Sequence, residues 1–573
     1  MRIQTGCLAV VLLASIFFSG CASMQKKQTT PLAQPDIQAD DIETSYYHYI
    51  ESQLNLKRRN LDKAIHHLAN ALELDSGSMF LKIELAKLYL QQKKSDNALD
   101  LLRSVLETDP EHLEALILSG SIYQTRKQYD KAKDAYKKVL AINPKEERIY
   151  LLLGGIHMDA GDPDSALSVY KQLVAYSPES FAGYFFIGKI YKDKGMIEAS
   201  VREFEKALDL EPQLEEARFE LIDIYREQDK TDKIIDLYKE IIQRNPQNTQ
   251  AIMELGYFYF EHGLIEASDR LLMDLGLKSQ QDTGVIRKII QLYIDPKKYE
   301  EAIVIMKSML KSVPESSDIH YLSGVAYDGN KEKEAAIQHF NRVKPNSRFY
   351  ENAVVQISVL YQEQGKTDEA IAYIKDVIEN VPDNPEFMLY LGSFYEERKA
   401  FEDAETILRQ GLDINADHIR LHFRLGVVYD KWGKKDKSIE QMRKVIKLDP
   451  KNANALNYLG YTFADMGKNL DEAERLIKEA LKYKPDDGYI TDSLGWVYFK
   501  KGRFGEALKY LEKAVDITQD DPIILEHLGD AYIKVNDRDN ALKFYKRSLM
   551  KKTENKEALE KKIEDLLKEK DLK

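Results

Sequence analysis

Cysteine is nearly absent, with two in 573 residues. That excludes a disulfide-stapled scaffold and a Cys-rich zinc protein. Proline (16) and glycine (28) are also sparse, which removes collagen-like and low-complexity architectures. Positive charge is in deficit: 83 Lys and Arg face 95 Asp and Glu, a net charge of −12. Nucleic acid is therefore not expected as a ligand, since no basic surplus would neutralise phosphates. Catalytic signatures are missing too. There is no HExxH helix, no GxSxG elbow and no GxGxxG loop. Gly433-Lys434 and Gly467-Lys468 follow Gly426 and Gly460 by seven residues, where a phosphate loop needs five, and no Ser or Thr follows either lysine. His66 and His67 are adjacent, so a helix turns their rings apart. No enzyme, metal or cofactor is expected. What is present is 43% hydrophobic and 31% charged residues, a folded, helix-friendly composition. The chain is too long for one hydrophobic core, so it must be several domains or a repeat array.

The chain opens MRIQTGCLAVVLLASIFFSGC. Arg2 precedes an apolar run from Leu8 to Phe18, too short for a permanent bilayer span and placed where a secretory signal belongs. An ordinary cleaved signal or an uncleaved membrane helix is the alternative. The ending Phe18-Ser19-Gly20-Cys21 resembles the lipobox of bacterial lipoproteins, with Phe18 in place of the usual leucine. The resemblance implies cleavage before Cys21 and acylation of its sulfur and new amino terminus, several chains together making a stable anchor. Ala22 in place of aspartate implies, by the same resemblance, the periplasmic face of the outer membrane. The stretch ASMQKKQTTPLAQPDIQAD (22–40) is polar and aperiodic and reads as a disordered tether reaching on the order of 25 Å.

Beyond it one pattern repeats. Proline recurs at 110, 144, 178, 212 and 246, and the phase returns at 314, 382 and 450. Twenty-four residues earlier sit Gly120, Gly154, Gly188 and Gly426; twenty-one earlier, tyrosines such as Tyr89, Tyr123 and Tyr191; twelve earlier, Ala98, Ala132 and Ala166. A small residue at position eight and alanine at position twenty let two antiparallel helices approach closely, and proline ends the second helix. This 34-residue order resembles the tetratricopeptide repeat. It implies an all-α superhelical solenoid of about fifteen helix-turn-helix repeats. One extra residue falls near Asn469, and Gln519 takes a proline slot. Two places drift, around 267–290 and 336–352, either as local irregularities or as a bend between two arms. The expected organisation is a signal peptide (1–20), the lipidated cysteine and tether (21–43), an N-terminal arm (44–282), a C-terminal arm (283–555) and a last helix (556–573). Leu559, Ile563, Leu566 and Leu567 share one face of that last helix, for capping or for a partner.

In this repeat family the first helix of each pair lines a groove, with positions two, five, nine, twelve and thirteen facing it. Phe185, Phe219, Met253, Tyr257 and Phe260 fall on such positions in three consecutive repeats, and would anchor an extended peptide or helix if they are not core. Asn457, Tyr461, Asp492 and Trp496 form a second candidate. Position five, apolar from Ile83 to Met253, turns polar and acidic there. The stretch 455–515 and the shortened RVKPNSRFYENA repeat are similar to large proteobacterial outer-membrane tetratricopeptide lipoproteins, some of which are adaptors for a periplasmic carboxy-terminal-processing protease. The expected partners are thus envelope proteins or peptides, with a scaffold of a polysaccharide-export or pilus-assembly machine as the alternative.

Overall fold

The computed structural model describes residues 39–553 and 556–571. Cys21, the signal and most of the tether lie outside them. Every described element is a helix and none is a strand. The helices alternate in pairs from Ala39–Lys57 with Leu61–Leu74 to Pro522–Lys534 with Arg538–Lys551, followed by Glu557–Asp571. The first helix starts at Ala39, inside the stretch read as tether. By compactness the chain divides into two units, 1–255 and 256–573.

The turn inside each hairpin is built on one left-handed residue. Positive φ occurs at Arg59, Lys93, Lys127, Gly161, Gly195 and Asp229 in the first unit, and continues through Gly263, Lys297, Lys331, Gly365, Lys399, Gly433 and Gly467 to Gly502 and Asn536. That is fifteen turns, spaced by 34 residues except for one step of 35. The additional residue is Asn469, itself left-handed at φ 49° and serving as the N-cap of Leu470–Tyr483, where the sequence places it. Asparagine tolerates this conformation better than most side chains.

Close packing within a hairpin depends on position eight and on the residue that roofs it. A Cβ on Gly120 would lie 2.5 Å from the Tyr136 ring, on Gly154 2.3 Å from Tyr170, on Gly188 2.8 Å from Phe204 and on Gly324 2.5 Å from Phe340. Leu272, Leu408 and Leu511 lie similarly over Gly256, Gly392 and Gly495. The glycine removes a side chain so that a large one, sixteen residues on, can fill the space. Alanines at position twenty, including Ala98, Ala132, Ala166 and Ala302, are fully buried.

The two drifting places are locally irregular. In the first, Thr283–Ile289 passes into a π-helical turn, Ile290–Ile294. In the second, Lys333–Phe340 has only eight residues, and Phe349 stacks on Tyr321 at 4.5 Å. The last helix buries Leu559 and Ile563 against Ala541 and Tyr545.

A polar pair recurs at the same repeat position. His48 and His67 meet Nδ1 to Nδ1 at 3.1 Å, His320 and His339 likewise at 3.1 Å, and His422 meets Gln441 at 2.7 Å. His320 Nε2–H donates to the Pro314 carbonyl at 2.9 Å, so its Nδ1 accepts from His339 Nδ1–H. Burial, then the neighbouring His320, holds the His339 pKa down to about 4. The unfolded chain thus binds more protons than the folded one between pH 6.5 and about 4. Stability should fall across that window on acidification. His339→Gln should flatten the loss in urea titrations run from pH 7 to 4; an unchanged slope would assign it elsewhere.

Candidate functional site

The first predicted cluster is divided by its packing. Phe185 (5% exposed) and Met253 (0%) belong to the core. Phe185 packs edge-on to Phe186 and against Phe204, the residue that roofs Gly188. Neither presents a surface to a groove, so both are core residues in a row read from repeat position alone. Phe219 is half-buried, edge-on to Tyr238. Tyr257 and Phe260 belong to the other unit, where their rings stack at 6.5 Å and Phe260 is exposed. Of the five, Phe219, Tyr257 and Phe260 keep exposed surface.

The second cluster lies within one unit and is coherent. It sits on Ala453–Asp465 and Gly488–Lys500, extended by Pro522–Lys534. Each helix is fixed by its own cap: Asn452 accepts from the Ala455 amide, Asp487 from Tyr489 and Ile490, and Asp521 from Ile523 and Ile524. Asn457 and Asp492 occupy position five of neighbouring repeats; Tyr461 and Trp496 occupy position nine, one turn further on. Asp492 is buried and accepts from His527 Nδ1, which lies 3.0 and 3.1 Å from its two oxygens. Burial opposes charge on His527, but the Asp492 carboxylate outweighs it and the pKa is raised. The His527 ring stacks on Trp496 at 4.1 Å, and Phe499 stacks on Trp496 at 4.7 Å. Lys500 Nζ lies 5.0 Å from the centre of the indole. Burial, followed by the Asp492 charge, pushes the Tyr461 hydroxyl up to about 12.

Two polar atoms in this setting lack partners. Asn457 Oδ1 and Trp496 Nε1 are both buried from solvent and make no hydrogen bond among the described residues. An unsatisfied buried polar group costs roughly 1–3 kcal/mol.

Sequence reasoning missed His527, which becomes visible only through its partner one repeat earlier. It also missed Tyr489 and Ile523, two exposed apolar side chains on position two of consecutive repeats; their signal was the shared position. Beyond them Glu526 pairs with Lys552 at 2.7 Å and Lys562 at 3.0 Å, and Lys562 reaches Asp530 at 2.7 Å. The acidic row is therefore largely neutralised by its neighbours. Among the described residues no cluster of three metal-ligating side chains occurs, and no helix is long and apolar enough to cross a membrane.

Comparison with known proteins agrees with this architecture. Three tetratricopeptide repeat family models match, at 55–118, 91–156, 123–185 and 361–424, at 467–561, and at 182–214 and 419–452. A TPR repeat-containing protein of Pseudomonas aeruginosa is 30% identical over 193 residues, 33% of this chain and 32% of that protein. The similarity thus spans about a third of that relative's length. The protein O-mannosyl-transferase Tmtc3 of Drosophila melanogaster is 24% identical over 131 residues, 23% of this chain and 14% of that one. Among solved structures, the Cut9-Hcn1 hetero-tetramer of the APC/C is 15% identical, with 80% of this chain and 90% of that one covered and a TM-score of 0.36. The helical hairpins, their 34-residue turn and the family matches over more than half of its length together establish that the chain belongs to the tetratricopeptide repeat family.

Proposed function

We propose that the chain is a non-catalytic scaffold that takes an extended segment of a partner protein along Asn457, Tyr461, Asp492 and Trp496. The observation that carries this is the aromatic stack of Phe499, Trp496 and His527 beside the exposed side chains of Tyr489 and Ile523. An extended peptide would lay apolar side chains on Tyr489 and Ile523 and run past the partly exposed Asn457 and Trp496. The paired Asp492 and His527 hold Trp496 in place rather than acting on the ligand.

We further propose that it works from the periplasmic face of the outer membrane, anchored by lipid on Cys21, as an adaptor between a processing protease and envelope substrates. The signal-like start and the Ser19-Gly20-Cys21 ending support the anchor, and the resemblance of 455–515 to adaptor lipoproteins supports the role. Replacing Cys21 with alanine should release the protein from the anchored membrane fraction; unchanged acylation and retention would overturn the anchor. A crosslinked affinity capture from native envelopes, read by mass spectrometry, tests the role. A processing protease with cell-wall hydrolases supports the adaptor. Recovery of polysaccharide-export or pilus-assembly subunits instead would reject it.

A further inference from the structure

The first helix, Ala39–Lys57, carries apolar side chains on both of its faces. Its packed face mixes Tyr49 and Leu56, which lie against the core, with polar groups: Ser45 Oγ donates to the Ala71 carbonyl at 3.0 Å, His48 meets His67, and Ser52 and Asn55 are buried. Its solvent face is apolar. Tyr46 (66% exposed), Ile50 and Leu54 succeed one another at four-residue intervals, and Tyr47 (54%) stands beside them. Exposed Phe80 of the next hairpin, 5.5 Å from the Tyr49 ring centre, extends this surface. Repeat arrays normally end in a polar cap. The final helix obeys that rule, with Lys561, Glu564, Asp565 and Lys568 exposed around Leu559 and Ile563. The first helix does not, since Tyr46, Tyr47, Ile50 and Leu54 stand in solvent where a polar face is expected.

We infer that this face docks on the phospholipid surface to which the chain is tethered. The inference rests on the lipid-anchor reading of Cys21. Three features select a bilayer over a second copy of the chain. Tyrosine is suited to the membrane interface, with its ring among the acyl carbons and its hydroxyl among the headgroups. Lys57, Arg58 and Arg59 close the helix with three positive charges, at the end opposite its acidic residues Asp40, Asp41 and Glu43, and that end would meet lipid phosphates. Seventeen residues lie between Cys21 and Ala39, a length that even fully extended spans no more than about 60 Å. Acyl chains at Cys21 therefore keep a bilayer at high effective concentration beside this face, whereas a second copy must arrive by diffusion. An amphipathic surface too small to bind membranes by itself becomes effective under that tether.

The test uses the full lipidated protein in vesicles of phosphatidylethanolamine and phosphatidylglycerol. Acylation of Cys21 leaves an introduced cysteine as the only free thiol, so a spin label can be placed by Ile50→Cys and, as a control, by Asp100→Cys on an exposed site. The expected result is access of oxygen and loss of access of a nickel chelate at Ile50, with full nickel access at Asp100. Equal nickel access at both sites overturns the docking. Dipolar broadening at Ile50 overturns it in favour of a second copy. Shielding from both reagents without broadening overturns it in favour of protein cover, including the chain's own 22–38 segment. Mass spectrometry of the amino-terminal peptide separates the two readings: an unacylated Cys21 removes the anchor itself, whereas an acylated Cys21 with a solvated Ile50 label removes only the docking.

Discussion

Tyr170→Ala should cost about 3–5 kcal/mol, the range for truncating a large buried aromatic. Tyr170 is 1% exposed and lies directly over Gly154, where even one added carbon would stand 2.3 Å from its ring. Truncation leaves a cavity that the helices Glu147–Asp159 and Pro163–Tyr176 cannot close, because each is also packed against its neighbouring hairpins. The reciprocal change, Gly154→Ala, fills space already occupied. Its overpacking cost of about 1–3 kcal/mol opposes a helix-propensity gain of about 1 kcal/mol, so it should be the milder of the two. Hairpins in such arrays contact their neighbours and little else, so the damage should stay local. Hydrogen exchange is the suitable measurement, since a long array need not unfold in one step. Amides of 147–176 should lose protection while those of Ile419–Lys431 keep it. Uniform loss across both regions would contradict the local picture.

Trp496→Ala should weaken partner capture by at least about 2 kcal/mol, or roughly thirtyfold, as for a central aromatic anchor. The change removes both the indole donor and the surface stacked on His527. Trp496→Phe keeps a ring in the stack and should cost less, about 1 kcal/mol. Asn457→Leu, at position five of the preceding repeat, should cost a similar amount. Helicity and thermal unfolding must be unchanged in the two milder variants for the comparison to hold. Capture unaffected by all three substitutions would reject this groove as the binding surface.

The glycine at position eight was legible from sequence because it is one residue type in a fixed place. Its roof was not, because Tyr136, Phe204, Leu272 and Met442 all serve and only their volume is constrained. Phe185 and Met253 were assigned to a groove by repeat position, yet position sets only a direction on the helix. Whether a side chain pointing that way is covered depends on the size of its neighbours, and at Phe185 these are Phe186 and Phe204. Asp492 read as an acidic groove residue; its burial against His527 could not be seen without knowing that positions 35 residues apart lie side by side. Asn469 was legible because an insertion breaks phase, and phase survives any number of conservative changes.

The left-handed residue of each hairpin turn also makes the gene modular. Lys93 and Lys127, or Gly161 and Gly195, are the same point of the same turn one hairpin apart. A recombination joining any two of them would excise or duplicate a whole number of hairpins, and each new junction would reuse a turn that already folds. Every helix on either side would keep its reading of inside and outside. The number of hairpins in this array can therefore change between generations without redesign of a single interface beyond the one at the seam.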